Sequence, residues 1–313
     1  MSNNDQGAEG NPNSPLRPEP LTQEITAIPL RHPWRNSIAV ILLVMVVSFF
    51  YDASHRAIYD WATYKEFVFH PRILKGVVVT LELTVYSMII AIILGIVLAV
   101  MRQSPNPILK SVAWSFIWFF RGTPVYVQLV FWGLLSTVYP AITFGIPHVG
   151  DFITFSSLNN ISLFTLAVIG LSLNEAAYMA EIVRAGLLSV DRGQEEAAKA
   201  LGMGWSLSMR RIIIPQAMRI IIPPTGNEVI SMLKTTSLVT AIPLTLDLYM
   251  ASRDISAVTY KPVPLLMVAS TWYLVFTSVL MVLQYFLEKR FARGYAQMGL
   301  NVNPAPLEGL GGG

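Results

Sequence analysis

Five charged side chains, Glu82, Glu175, Glu181, Glu228 and Lys234, stand inside stretches of some 20 residues that are otherwise apolar. In hydrocarbon a central charge costs about 2.5–3.5 kcal/mol, so each of the five needs a partner or a water-filled path. Glu82 and Glu175 have no basic residue within a helical turn. An ammonium or guanidinium group arriving with a solute would be a suitable counter-charge, and four acids against one lysine lean toward a cationic or zwitterionic amino acid. Asn174, Tyr178 and Glu181 fall at i, i+4 and i+7, so they share one face of a helix that could line a path. Glu82, Glu175, Tyr178, Glu181 and Lys234 are therefore the candidate pathway residues. Each has a plainer reading beside it. Glu181 stands three residues before Arg184, the spacing of an interfacial ion pair. Glu228 and Lys234 could satisfy neighbouring helices, and Arg121 could reach an interface or orient an anionic group.

The same inventory argues against catalysis. The chain has no cysteine, which excludes disulfides and thiol chemistry, and its four histidines, His32, His55, His70 and His148, lack any paired metal-ligand spacing. No phosphate-cradling GxxxxGK[ST] loop occurs, so nucleotide hydrolysis is expected on another polypeptide. No basic run offers phosphate contacts, and nucleic-acid binding is not expected.

The elements that must position these charges follow from composition. Of the 313 residues 53% are hydrophobic and 13% charged, against about 25% charged in soluble domains. At 1.5 Å per residue a bilayer core of about 30 Å needs about 20 residues. Six stretches meet that length: 35–52, 76–101, 122–140, 161–183, 223–243 and 264–287. The first is apolar only from Ser37 to Tyr51 and uses Trp34 and Tyr51 as interface anchors. The third is preceded by a helix, Pro107 to Phe120, expected to lie flat on the membrane and to be cut off by Gly122 and Pro124. The fold class expected is all-α integral membrane. Residues 1–33 hold six of the 20 prolines and read as a disordered tail, and 294–313 as a flexible one. Fourteen Lys and Arg residues fall on the side holding both termini and the 184–222 loop, and six on the other, so the positive-inside rule puts the termini in the cytoplasm. The outer side is left with loops of some 20 to 25 residues.

Within the long cytoplasmic loop, Asp191 is a good N-cap, Gln194 stands where a capping box wants it, and Glu195 and Glu196 favour the helix start. Lys199 occupies the last turn and Gly202 can end the helix with positive φ. Ala197, Ala198 and Ala200 give this short helix a small-residue face that another protein could approach.

The stretch EEAAKALGMGWSLSMRRIIIPQA, Glu195 to Ala217, resembles the EAA loop of binding-protein-dependent ABC importer permeases, through Glu196, Ala197, Ala198, Gly202, Ile212 and Pro215. TLELT (Thr80–Thr84), FRGTPVYVQL (Phe120–Leu129), NEAAYMAEIVRAGLLSVDRGQ (Asn174–Gln194) and IPPTGNEVISMLKTTSLV (Ile222–Val239) resemble the polar amino acid branch of that family, which includes histidine, glutamine, arginine and glutamate permeases. The resemblance implies a type I ABC importer transmembrane domain of five core helices, residues 75–293 with a coupling loop at 189–217, preceded by an extra N-terminal helix and outer segment at 34–74. It implies a transport subunit of the bacterial inner membrane, not an enzyme. A second permease chain, identical or homologous, would complete the pathway through the lipid bilayer, and an extracellular solute-binding protein would deliver the amino acid. An ABC ATPase dimer carrying ATP and Mg would be the engine, with no cofactor in this chain. Gln194, Glu196, Ala197, Ala198, Leu201 and Gly202 would meet that ATPase. Two other classes share the hydropathy: an ion-gradient-driven secondary transporter or channel, which calls for inverted repeats not seen between the two halves, and a non-transporting membrane scaffold.

Overall fold

The structure, a computed structural model, describes residues 33–138, 142–146, 150–155 and 161–292. The expected tails at 1–32 and 293–313 lie outside the described residues. Two compact units divide the chain, one to His55 and one from Arg56. The first contributes one helix, α1 (Pro33–His55), whose apolar side chains are exposed all round, as a helix bathed in lipid requires.

The second unit begins with α2 (Trp61–Phe67) and the long α3 (Pro71–Gln103), which runs unbroken through residues 74 and 75. Then come α4 (Pro107–Gly122), α5 (Val125–Gly133) and α6 (Leu135–Val138), a β-hairpin, and α7 (Leu163–Leu188). The loop helix α8 (Arg192–Ala200) and the short α9 (Trp205–Ser208) lead through a π-helical turn, Met209–Ile213, into α10 (Ile214–Thr235). A 3₁₀ turn, Thr236–Ala241, precedes α11 (Leu248–Thr259) and α12 (Pro262–Ala292). The hairpin pairs β1 (Ile142–Ile146) with β2 (Gly150–Phe155) antiparallel, Ile142 opposite Phe155, with an irregularity between Phe144 and Gly145. It is a small departure from the all-α expectation.

Among the described residues four helices, α1, α3, α7 and α12, are long and apolar enough to cross a membrane by length and composition. The other two expected spans, 122–140 and 223–243, are covered in pieces, the first by α5 and α6 and the second by the later part of α10 and its 3₁₀ turn. As expected, the chain breaks after α4, at Thr123–Pro124, and α4 itself packs on its own bundle. Ala113, Ile117 and Phe120 of α4 are buried, and the first two share a core with Leu98 of α3 and Met179 and Ala180 of α7. The helix is amphipathic because one face packs on its own bundle.

Where water is absent, helices are held together by close packing rather than by expulsion of solvent, which favours small residues at contacts. The α3–α7 pair illustrates it. A Cβ on Gly95 would stand 2.6 Å from the Met179 Cβ and 3.1 Å from the Ala180 backbone nitrogen, so α7 lies against a bare stretch of α3. On the other side of the bundle Ile73 and Val77 of α3, Leu248 and Ala251 of α11, and Leu265 and Val268 of α12 form a second core.

Polar contacts at the same end fasten α2 to α12. Lys261 bonds Asp60 at 2.7 Å and Thr63 at 2.8 Å, the Tyr64 hydroxyl meets Thr271 at 3.1 Å, and Trp272 donates to the Val68 carbonyl at 2.8 Å. Asp60, with φ 35°, caps α2 by accepting from the Thr63 amide. The Lys261 bond, helped by those from Thr63, lowers the Asp60 carboxyl to about 2.

Two outcomes follow. Gly95→Val should overpack the α3–α7 contact and lower stability by about 1–3 kcal/mol, read as a reduced thermal midpoint of the purified full chain, whereas the same change at the open Gly204 should cost less. Because the Asp60 carboxyl is depressed, its contribution persists above the ordinary carboxylate range and disappears only as pH falls from about 4 to about 2. Hydrogen exchange in 57–67, corrected for intrinsic rate, should match at pH 7 and pH 5, while Lys261→Met should raise it at both.

Candidate functional site

The break between α4 and α5 explains the site. Pro124 has no amide hydrogen, so the Phe120 carbonyl loses the bond that a continuous helix would supply, and Thr123 is extended at φ −118°, ψ 144°. In a bilayer such freed groups must be satisfied by protein. Gln128, 6% exposed, donates to the Phe120 carbonyl at 3.0 Å, to the Thr123 carbonyl at 3.1 Å and to the Thr123 hydroxyl at 2.7 Å. Asn174 of α7 completes the repair, donating to the same Phe120 carbonyl at 3.0 Å and to Gln128 Oε1 at 3.1 Å. The break is therefore a fixed polar layer between α4, α5 and α7.

Glu175 lies next to that layer, 6% exposed, with its Oε1 lacking a hydrogen-bond partner. The half-buried carboxyl of Glu228 from α10 is near enough for the two groups to interact. A buried carboxyl beside a half-buried one in a low-dielectric region calls for a counter-cation or a shared proton. The sequence reading gave Glu228 no part in the pathway, and nothing in its spacing relates it to Glu175.

The remaining pathway candidates go to different places. Glu181 accepts from Arg184 at 2.6 Å, the interfacial pair that its spacing suggested. Tyr178 is 37% exposed and carries the Arg121 guanidinium 5.2 Å from its ring centre. Glu82 is exposed on α3, and Lys234 is exposed in a groove of about 340 Å³ between α10 and α12 with Asn227, Ser231, Gln284 and Glu288. Charged groups at these positions cannot rest against lipid tails, so both faces need a covering chain or water.

The loop helix α8 matches its caps in part. Asp191 accepts from the Gly193 amide at 2.7 Å, and the helix closes with a Schellman pattern: Met203 to the Ala198 carbonyl at 3.0 Å, Gly202 to that of Lys199 at 2.9 Å, Gly202 at φ 74°. Lys199 binds Glu195 at 2.7 Å and lowers its carboxyl below the usual range. Two expectations are corrected. Gln194 does not turn back to close a capping box; its Oε1 accepts from Gln216 of α10 at 3.4 Å. Ala198, 1% exposed, faces inward because it lies one turn from Gln194 on the anchored side. Glu196, Ala197, Leu201 and Gly202 face solvent, Leu201 at 80%, and exposed Trp205 extends this surface beyond the residues that sequence reasoning singled out. Among the described residues no cluster of His, Cys, Asp and Glu could hold a metal ion.

Comparison with known proteins agrees with this arrangement. Residues 91–293 match the family described as binding-protein-dependent transport system inner membrane component. The chain is 55% identical over 281 residues to the arginine transport system permease protein ArgU of Corynebacterium glutamicum, covering 90% of this chain and 86% of that one. It is 38% identical over 217 residues to the histidine/lysine/arginine/ornithine transport system permease protein HisM of Escherichia coli, 69% and 87% of the two chains. Among solved structures, a chain of an amino acid ABC transporter crystallised with histidines aligns with TM-score 0.60 and 36% identity, over 70% of this chain and 94% of that one.

The polar layer predicts an order of damage. Gln128→Leu should destabilise more than Asn174→Ala, because it orphans acceptors at the break that Asn174 alone cannot cover. Interhelical bonds of this kind contribute about 0.6–2 kcal/mol each, and denaturant titration of the purified chain in micelles should resolve the order.

Proposed function

The chain belongs to the family of binding-protein-dependent transport system inner membrane components, and from that premise we propose that it conducts basic amino acids, arginine foremost, into the cell. The observation that carries the substrate class is the buried Glu175 beside the half-buried Glu228: Glu175 has no basic side chain within a helical turn, and Lys234, on the same helix as Glu228, is exposed in the groove toward α12. The relatives named for arginine and for histidine, lysine, arginine and ornithine transport support the same class. Family membership disfavours an ion-gradient-driven transporter or channel.

In this reading a second permease chain covers exposed intramembrane charges such as Lys234, and the solute passes between the two. A binding protein delivers it at the outer ends of α3 and α12. Both termini and α8 lie in the cytoplasm, as the excess of Lys and Arg on that side suggests. There Glu196, Ala197, Leu201 and Gly202 dock into an ABC ATPase, which supplies ATP and Mg. Gln194 and Ala198 brace the helix against α10. Force on α8 then travels through Met209–Ile213 into the helix that holds Glu228 and Lys234.

Reconstitution in proteoliposomes with the ATPase and binding protein tests both halves. Gly202→Asp should leave the complex assembled while ATP hydrolysis no longer drives uptake; retained uptake would remove α8 as the coupling element. Glu175→Gln and Glu228→Gln should each lower arginine uptake by about tenfold, the equivalent of one lost charged contact at about 1.4 kcal/mol. Unchanged uptake in both would remove the acid pair from the substrate site, and an effect confined to Glu82→Gln would move that site to the exposed face of α3.

A further inference from the structure

Toward the end of the bundle that carries α8, Arg102 at the close of α3, Trp114, Trp118 and Arg121 on α4, and Tyr178 and Arg184 on α7 line an open groove of about 490 Å³. We propose that this groove binds the headgroup of an anionic phospholipid. It takes the cytoplasmic leaflet from the orientation proposed above; the ligand's chemistry does not depend on that reading.

The charge balance leads there. Three guanidiniums face one carboxylate, Glu181, and Arg184 already holds it at 2.6 Å. Among the described residues neither Arg102 nor Arg121 has a carboxylate partner, and Arg121 lies over the Tyr178 ring at 5.2 Å. Two planar, permanently charged forks are thus left for a ligand, a geometry suited to bidentate contact with a phosphate. The aromatic wall fits the same occupant. Trp114 and Trp118 stack with ring centres 6.1 Å apart and planes 9° apart, and remain 49% and 63% exposed. Paired indoles beside arginines are the side chains that settle at headgroup level. The neighbouring residues of α4 continue as an exposed apolar surface, Ile108, Val112 and Phe119, along which acyl chains can lie. A solute carboxylate shares the headgroup's negative charge but has no use for that apolar continuation.

Native mass spectrometry of the full chain, released from micelles doped equally with phosphatidylglycerol and phosphatidylcholine, tests this. Phosphatidylglycerol should be retained about fivefold over phosphatidylcholine, and the Arg102→Gln/Arg121→Gln double variant should bring the two to parity. Arg121→Lys should keep part of the preference, and Lys289→Gln/Arg290→Gln, at the end of α12, all of it, which separates the groove from general basicity and from misfolding. Equal retention by the unaltered chain would overturn the proposal, as would a double variant that keeps the preference. Displacement of phosphatidylglycerol by millimolar free arginine, lost in the double variant, would also overturn it, by assigning the groove to the solute.

Discussion

A backbone that leaves its helix inside a bilayer has no water to turn to, and the break at Gly122–Pro124 makes that constraint concrete. Pro124 removes one donor, and the consequence spreads over three helices: Gln128 is fixed by the orphaned carbonyls, Asn174 is fixed by Gln128, and α7 is thereby held in register with α4 and α5. Because Asn174 is locked, the next residue is locked too. Glu175 is directed into the bundle toward Glu228 by a repair made for the backbone's sake.

The same economy operates at α8. A nine-residue helix is too short to persist alone in water. It is stabilised at its start by Asp191, at its end by the left-handed Gly202, and along one face by Ala198 and the Gln194–Gln216 bond. A helix held on one face and bare on the other is a suitable lever arm. In the proposed coupling its outward surface would yield to a partner without unpacking the membrane bundle, and the continuous chain through Met209–Ile213 would carry displacement into α10. Pro223 and Pro224 lie inside α10, removing two more amide donors between the loop and Glu228, so bending is favoured there.

Much of this was legible in the sequence where the signal is local. Apolar length located the four helices long enough to span, α1, α3, α7 and α12, and cap chemistry found α8 and its glycine end. Pro124 announced a break, and the Glu181–Arg184 spacing announced a pair. The failures share a physical cause. Whether Ala198 faces out and whether Gln194 returns to its own cap are decided by what a neighbouring helix offers, and the residues that answer are distant in sequence. Glu228 was visible as an intramembrane acid, but its meeting with Glu175 depends on how α7 and α10 cross. The family resemblance, read from short motifs, succeeded for the opposite reason: those motifs are contiguous.

The charges sort themselves along the bundle in a way that the single chain leaves incomplete. Acids concentrate at mid-span, where Glu175 and Glu228 face one another, while unpaired guanidiniums lie toward the α8 end at Arg102 and Arg121. A cation drawn toward the acid pair would be repelled by those guanidiniums unless an anion covered them. Filling the arginine groove with a lipid phosphate would therefore do more than anchor α4. With the orientation and cargo proposed above, it would lower the local positive potential between the acid layer and the α8 end, easing the departure of a basic solute on that side. The lipid site and the acid pair thereby become parts of one electrostatic profile, with the membrane itself supplying the charge that the polypeptide lacks.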